Sequence, residues 1–409
     1  MRFGSDDLKG ALTGPFDHYY VADLYYNGSL RVANVPITQP SLSEDADAKI
    51  QQSGTVKVVW TDEFATSIVP KEISDPLAPF GAQLFIYSVV WVGPFIERVA
   101  LGRFEITDVP SARDEEMRFN GRWIVTGSVV DLEVKELTDG ISHETFDIPS
   151  APRQLDSTWA EVGDLSGLPL SRTVADAPIN RSVMYPDSKL DAIYELMDVM
   201  LDAVPHITAY GALAARPNSW PDPVDTLTRN GCLVSVGHSM SAAKVYNRVI
   251  VLAPGGGESV LAIAEITSGR LRVRNSDGST SPFRARTYSM SSEFVTTREQ
   301  AQPWANSTLA QVSTIRTRIV PVVETFNPLR ERGDVILIER PQVWLLGRVV
   351  TISRSERARQ TLTVEIGGFA PKLETPGPFD GWDDGYPARY DYFPIDDLFP
   401  IDDLFPESE

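Results

Sequence analysis

Apolar and polar positions fall mostly into short alternating runs, and only two long stretches change to a helical period. The segment His18-Tyr-Tyr-Val-Ala-Asp-Leu-Tyr-Tyr26, then Asn27-Gly28, then Ser29-Leu-Arg-Val-Ala-Asn34 predicts a hairpin. An Asn-Gly pair supplies the two left-handed residues that a tight turn between strands needs. Further strands are expected at 55–60, 83–92, 95–101, 103–107 and 122–135, with a polar loop at Ser111-Ala-Arg-Asp-Glu-Glu116. The run from Ala82 to Val92 is nearly continuous in apolar residues, which predicts cover on both faces.

Organisation changes at Ile148-Pro-Ser-Ala-Pro-Arg153, read as a linker. Beyond it, apolar residues at 190, 193, 194, 196, 197, 200, 201 and 204 make a helical stripe between Asp187 and Val204. Ser188 with Asp191 forms a capping box, and Pro205 is expected to stop the helix. His206–Tyr210 and Ala212–Ala215, joined by Gly211, read as a hairpin. Strands return at 244–252 and 259–266 around Pro254-Gly-Gly-Gly257. A second helix is expected from about 297 to 313, with Thr296 or Thr297 as its cap and Pro303 as a kink or a first-turn proline. Four β-branched runs then follow at 315–324, 331–339, 343–353 and 361–366, with corners at Asn327-Pro328 and Arg332-Gly-Asp334. They suit a small, strongly bent sheet or barrel.

A chain of 409 residues, 42% apolar and 23% charged, is long enough for two to four domains and a large core without metal or disulfide staples. Cys232, the one cysteine, has no partner for an internal disulfide and reads as a small hydrophobe opening a strand, which fits folding in a reducing cytoplasm. No stretch approaches the ~18 apolar residues of a membrane span, so no membrane insertion is expected. The net charge is −19. Ten acids against Arg389 between Asp380 and Glu409 put −9 on the last 30 residues and leave −10 on the other 379. That balance argues against a nucleic-acid backbone as partner, because phosphate binding needs a positive stripe.

Candidate chemistry fails on inspection of spacing. Leu233-Val-Ser-Val-Gly-His-Ser-Met-Ser241 mimics a nucleophile elbow around Ser239, but Ser241 replaces the last glycine and no histidine follows the serine. The fold that uses such an elbow places its general base later in the chain. Gly255-Gly-Gly257 lacks the Lys-Ser/Thr of a phosphate loop, and Asn275-Ser-Asp-Gly278 reads as a tight turn rather than a calcium loop. His18, His143, His206 and His238 are too scattered for a zinc site. No catalytic, metal-binding or cofactor-binding residue is assigned. Paired carboxylates for glycoside hydrolysis are not excluded by 56 acids, which keeps a cell-wall hydrolase open as an alternative.

After Pro376-Gly-Pro378 the chain carries Trp382, Tyr386, Tyr390 and Tyr392, and then the repeat Phe393-Pro-Ile-Asp-Asp-Leu398, Phe399-Pro-Ile-Asp-Asp-Leu404, Phe405-Pro-Glu407. Low complexity, acidity and a proline every sixth residue work against an independent fold. The repeat is read either as a solubilising tail or as a docking peptide. In the second case Phe393, Ile395, Leu398, Phe399, Ile401, Leu404 and Phe405 bind a partner while the Asp pairs face basic groups.

Several arrangements resemble the tail-tip hub proteins, or minor tail proteins, of long-tailed siphovirus-type phages of actinobacteria. The first is Gly102-Arg-Phe-Glu-Ile106, a loop, then a long strand carrying Asp131-Leu132. The second is Trp159-Ala-Glu-Val162, Gly167-Leu-Pro169, a helix with Leu196-Met197, and a hairpin with Gly211-Ala-Leu213. The third is Val245-Tyr-Asn-Arg-Val249, a Gly-rich loop, Glu299-Gln-Ala301 in a helix, and Arg332-Gly-Asp-Val335. Together they cover roughly positions 80–366. The resemblance implies an α+β, β-dominated chain with two barrel-like β modules, a small α/β module between them and an extended acidic tail. The corresponding segments are 1–150, 151–230, 231–368 and 369–409.

The resemblance also implies a homotrimeric structural virion protein at the tail tip, made in the host cytoplasm and not an enzyme. Such a hub caps the tail tube, adapts its six-fold symmetry to a three-fold tip and anchors tip or fibre proteins for host attachment and DNA delivery. Its implied partners are the distal tail protein, the tape-measure protein and other tip or fibre proteins, with no sequence-specific nucleic acid and no cofactor. A receptor-binding tail protein is a second alternative. The 38 aromatic residues could supply the extended contact faces that such an assembly needs.

Overall fold

The computed structural model describes residues 1–61, 66–179, 181, 183–185, 188–237, 242, 245–252, 260–291, 298–313, 319–371 and 393–394. The chain divides into two compact units: 1–237 together with 319–409, and 238–318. Strands hold 48% of the residues and helices 14%, so the β-dominated expectation stands.

After a short helix, α1 (Asp6–Ala11), the first unit builds six antiparallel strands: β1 (Asp17–Tyr26), β2 (Ser29–Asp45), β3 (Gln52–Trp60), β4 (Ala82–Val92), β5 (Phe95–Phe119) and β6 (Arg122–Glu136). The expected Asn-Gly turn joins β1 to β2, with φ of 49° at Asn27 and 71° at Gly28. Each strand pairs with two others in the order β1-β4-β5-β6-β3-β2, and β2 returns to β1, so the ladder closes on itself. Alternate residues point inward, and Leu24, Leu84, Ile86, Leu132 and Val58 fill the interior. Each such side chain contributes about 1.5–3 kcal/mol through the apolar surface it removes from water.

Two details of this ring differ from the sequence expectation. The strands expected at 95–101 and 103–107 are one strand, and it runs straight through the residues read as a polar loop. Ser111–Glu116 lie in register with β6, so pairing overrides their weak strand propensity. The Ala82–Val92 run is not sealed on both sides: Leu84, Ile86, Ser88 and Val90 are buried, whereas of the alternate positions Val89 is buried, Gln83, Phe85 and Tyr87 are half-buried and Trp91 is exposed.

Next, α2 (Thr138–Ser142), α3 (Thr158–Ser166) and α4 (Lys189–Leu201) pack on a three-stranded sheet of β7 (Leu170–Ser171), β8 (Ala203–Ile207) and β9 (Leu213–Pro217), ordered β7-β9-β8. Trp159, Ile193, Leu196 and Met197 form its core. The Ser188 hydroxyl caps α4 by accepting from the Asp191 N–H, as its sequence predicts. Pro205 does not end that helix. Asp202 does, in a left-handed conformation at φ 49°, and Pro205 lies inside β8.

The rest of the first unit is β10 (Asp225–Leu227), β11 (Leu233–Val236), β15 (Ile319–Thr325), β16 (Val335–Glu339), β17 (Val343–Arg354), β18 (Arg359–Pro371) and the two-residue β19 (Phe393–Pro394). Six of these run in the order β10-β16-β17-β18-β15-β11 around a core of Val322, Ile336, Ile338, Val349, Ile352, Leu362 and Val364. The four β-branched runs of the sequence are β15 to β18. Cys232 is half-buried against this core, in keeping with its reading as a small hydrophobe.

The last four residues of β17 pair with β2, Thr351 opposite Asp45 through Arg354 opposite Leu42, which makes one 13-stranded sheet of the ring and the second strand set.

The second unit carries β12 (Arg248–Leu252), β13 (Val260–Glu265), β14 (Thr287–Ser291) and α5 (Arg298–Val312). The strands order β13-β12-β14, and Val249, Val251, Ala262, Ala264, Ala301 and Ala305 form a small core. The strands expected within 231–368 thus fall into two units. Pro303 sits inside α5, whereas Thr296, Thr297 and the Pro254–Gly257 turn lie outside the described residues.

Candidate assembly surfaces and the junction that positions them

Where β17 meets β2, charge is buried instead of oil. Arg332, whose sequence context reads only as an Arg-Gly-Asp corner, reaches into all three parts of the first unit. Its Nε donates to Gln51 Oε1 at 2.7 Å, Nη1 to Glu44 Oε2 at 3.4 Å, and Nη2 to Glu136 Oε2 at 3.3 Å and to the Ile207 carbonyl at 3.1 Å. The turn that aims it requires Gly333, at φ 84° and so close to the Arg216 side chain that a Cβ would collide with it.

Glu44 is the anionic centre. Arg2 Nη2 donates to its Oε1 at 2.8 Å, Arg354 Nη1 donates to the same oxygen, and all three side chains are buried. Burial alone would raise the Glu44 carboxyl, but Arg2, Arg354 and Arg332 together hold it far below the usual carboxylate range. Glu136 goes the other way: desolvation outweighs Arg332 and the Thr138 and Gln51 donors and raises it. A second buried pair, Arg330 with Glu324 at 2.8 Å, continues the network, and Gln360 Nε2 donates to Glu324 Oε1 at 2.7 Å. This network fixes the angle between the ring and the second strand set.

Two surfaces are left outward. On the outer face of β1, β4 and β5, cross-strand rows place Tyr19 beside Val89 and Arg98, and Phe85 beside Arg103. Phe85 lies 4.5 Å from Tyr87 and meets Tyr210 edge-on at 5.9 Å; the Arg98 guanidinium sits 4.0 Å from the centre of the Tyr87 ring. Desolvation and Asp23 push the Tyr87 hydroxyl up to about 12. Tyr19, Trp91, Ile96 and Tyr210 are exposed on or beside this face, a larger aromatic patch than singly scattered surface residues make.

The other surface is the far end of the β5–β6 hairpin. Asp114, at its base, accepts from Ser67 and Ser128 and pairs with Lys71, whereas every residue from Glu115 to Ile124 is exposed.

Of the docking residues expected in the tail, Phe393 is described. It pairs with Phe369, and Pro394 with Gly368, so β19 extends the edge beside β18. Ile395, Leu398, Phe399, Ile401, Leu404 and Phe405 lie outside the described residues.

The chemical candidates stay apart. His18 stacks on Phe326 at 3.9 Å, and the His143 ring meets the Asp139 carbonyl at 2.8 Å. Burial, with Arg332 and Arg216 nearby, pushes the His206 imidazole down to about 3. His238 and Ser239–Ser241 lie outside the described residues, while Asn275–Gly278 is the expected tight turn, with Gly278 at φ 80°. Among the described residues no cluster of three or more His, Cys, Asp or Glu could hold a metal ion, and no helix is long and apolar enough to cross a membrane. Of two open cavities of about 300 Å³, one is lined by no carboxylate, and Asp17 is the one carboxylate lining the other.

No family model and no curated protein matches the chain. Among solved structures it is similar to the 43 kDa tail protein of prophage MuSo2 from Shewanella oneidensis, at 12% identity and a TM-score of 0.48 over 85% of this chain and 98% of that one. It is similar to a tail protein from Neisseria meningitidis at 10% identity and a TM-score of 0.48, over 85% and 96% of the two chains. A prophage tail protein from Listeria monocytogenes is similar at 9% identity and a TM-score of 0.40, over 85% and 94%.

Proposed function

We propose that this chain is a structural component of a phage tail tip, a hub that works by self-association of sheet surfaces. In this reading it forms a homotrimer that caps the tail tube, matches six-fold tube to three-fold tip and anchors tip or fibre proteins beside the distal tail and tape-measure proteins. The observation that carries the reading is the ladder joining a closed six-strand ring to a second six-strand set. Two sheet modules held at a fixed angle in each chain are what three copies need in order to present six modules to a six-fold tube. The aromatic outer face of β1, β4 and β5 supports it, since such a face suits a protein partner better than a small substrate.

The test is negative-stain imaging and light scattering of the full chain with its tail partners. Three-fold rings are expected. A chain that stays monomeric beside those partners while degrading purified peptidoglycan would establish the hydrolase alternative, and binding of the isolated chain to host cells would favour the receptor-binding one.

A further inference from the structure

The end of the β5–β6 hairpin is built to hold an extended peptide. From Glu115 to Phe119 and from Arg122 to Thr126 the two strands pair with each other and, among the described residues, with no other strand. Both outer edges therefore offer free backbone donors and acceptors for strand addition. Cross-strand pairing puts Met117 beside Ile124 and Phe119 beside Arg122 on one face, and Arg118 beside Trp123 on the other. Met117 is 50% exposed, Phe119 58% and Trp123 67%. Residues 117–124 carry two arginines and no acid, and neither arginine has an ion-pair partner among the described residues. The turn end of the tip is thus basic, apolar and open, with Glu115 and Glu116 nearer the body.

One segment of this chain has the opposite charge beside apolar residues of its own. Phe399-Pro-Ile-Asp-Asp-Leu404-Phe405 alternates apolar anchors with an Asp pair and sits in a region of net charge −9. We propose that the hairpin tip of one copy binds the Phe399–Phe405 repeat of a second copy, its arginines facing Asp402 and Asp403. This rests on the reading of the tail as a docking peptide and names its receptor.

The strand geometry selects a second copy. Ser353, Ser43, Ser53 and Lys135 stand in one cross-strand row. From that row β17 runs eight residues back to Leu345, whose neighbour Phe369 pairs with Phe393. In the opposite direction β6 runs twelve residues to Trp123. At about 3.3 Å per residue the anchored tail and its own hairpin tip lie about 65 Å apart along the strands. The eleven residues from Pro394 to Phe405 span at most about 40 Å. A chain's repeat is shorter than the strand path to its own tip, which favours a second copy as its donor.

The experiment places a photo-cross-linking benzoylphenylalanine at position 123 in the full chain and mixes isotopically light and heavy copies. Cross-links from position 123 to residues 399–405 of the other isotope are expected. Arg118→Glu with Arg122→Glu should cut their yield about tenfold. Mixing that variant with Asp402→Lys, Asp403→Lys copies should restore it, between unlike copies only. Cross-links confined to the same copy, cross-links elsewhere, or a yield unmoved by charge reversal each overturn the proposal. Three-fold rings seen alongside missing cross-links would sink this contact and leave the hub reading standing.

Discussion

The interior of the β1–β6 ring and the junction beside it are equally dry, yet they are held by opposite means. Leu24, Leu84, Ile86 and Leu132 fill the ring with hydrocarbon. Beside it, Glu44 of β2 and Glu136 of β6 meet Arg332 and Arg354 of the second strand set and fill the junction with paired charge. Apolar packing tolerates small errors of register and angle, because it is non-directional. A guanidinium locked to Gln51, Glu44, Glu136 and the Ile207 carbonyl tolerates very few. The ring's interior supplies bulk stability, and the junction supplies geometry to a molecule whose proposed work depends on the angle between two sheets.

Removing the junction's anion should give the largest effect. Glu44→Gln leaves Arg2, Arg332 and Arg354 buried around a neutral amide, which should destabilise the first unit by about 3–5 kcal/mol in urea unfolding. Leu84→Ala, which deletes oil from the ring, should cost about 3 kcal/mol. The two should separate by pH. The Leu84 cost should be the same at pH 7 and 3, whereas the Glu44 cost should be full at pH 7 and shrink only below the ordinary glutamate value of about 4.5. A Glu44→Gln effect under 1 kcal/mol would erase the distinction.

Acid sharpens the same contrast. Glu44 titrates below its ordinary value in the folded chain, so its contribution is complete above that value and fades as pH falls through the depressed one. His206 folds neutral, pushed down to about 3, so the unfolded chain binds the extra proton between pH 6.5 and 3. Stability should therefore fall with pH across that window, and His206→Gln should remove about 2 kcal/mol of the loss between pH 6.5 and 4.5, discounted for a ring that is only half-buried. Glu136 is raised and opposes the trend, since its protonation relieves a buried charge. An unchanged pH slope in His206→Gln would assign the acid sensitivity to the carboxylates.

The strands and turns were legible because their signals are local. Asn27-Gly28, the period of α4 and the four runs of β15 to β18 each act within a few residues. Arg332 was not legible, since its partners come from residues 44, 51, 136 and 207, and nothing near it distinguishes a buried corner from an exposed one. The hairpin tip was hidden for a related reason. Ser111–Glu116 are polar because β5 there pairs, among the described residues, with β6 alone at the edge of the sheet, and polarity alone reads as loop. A signal did exist on the other side of Asn120-Gly121, where Arg122-Trp-Ile-Val carries large apolar residues that a solvated turn does not need.

The smallest expected stability effect tests that tip most directly, because it compares two residues of one type. Trp159 is fully buried, its indole N–H donates to the Val174 carbonyl at 3.1 Å, and Trp159→Ala should cost about 3–5 kcal/mol. Trp123 stands in solvent on a hairpin held by its own ladder, and Trp123→Ala should change stability by less than about 0.5 kcal/mol. A tryptophan that adds so little to folding must be kept in water at a cost in solubility, and a partner that covers it removes that cost. Parallel urea curves for the two variants, with light scattering of Trp123→Ala across a concentration series, measure both halves of the comparison. Unfolding should be unchanged and self-association weakened. If Trp123→Ala instead unfolds early, the tip is packed against the body, and the hairpin is part of the core rather than an arm.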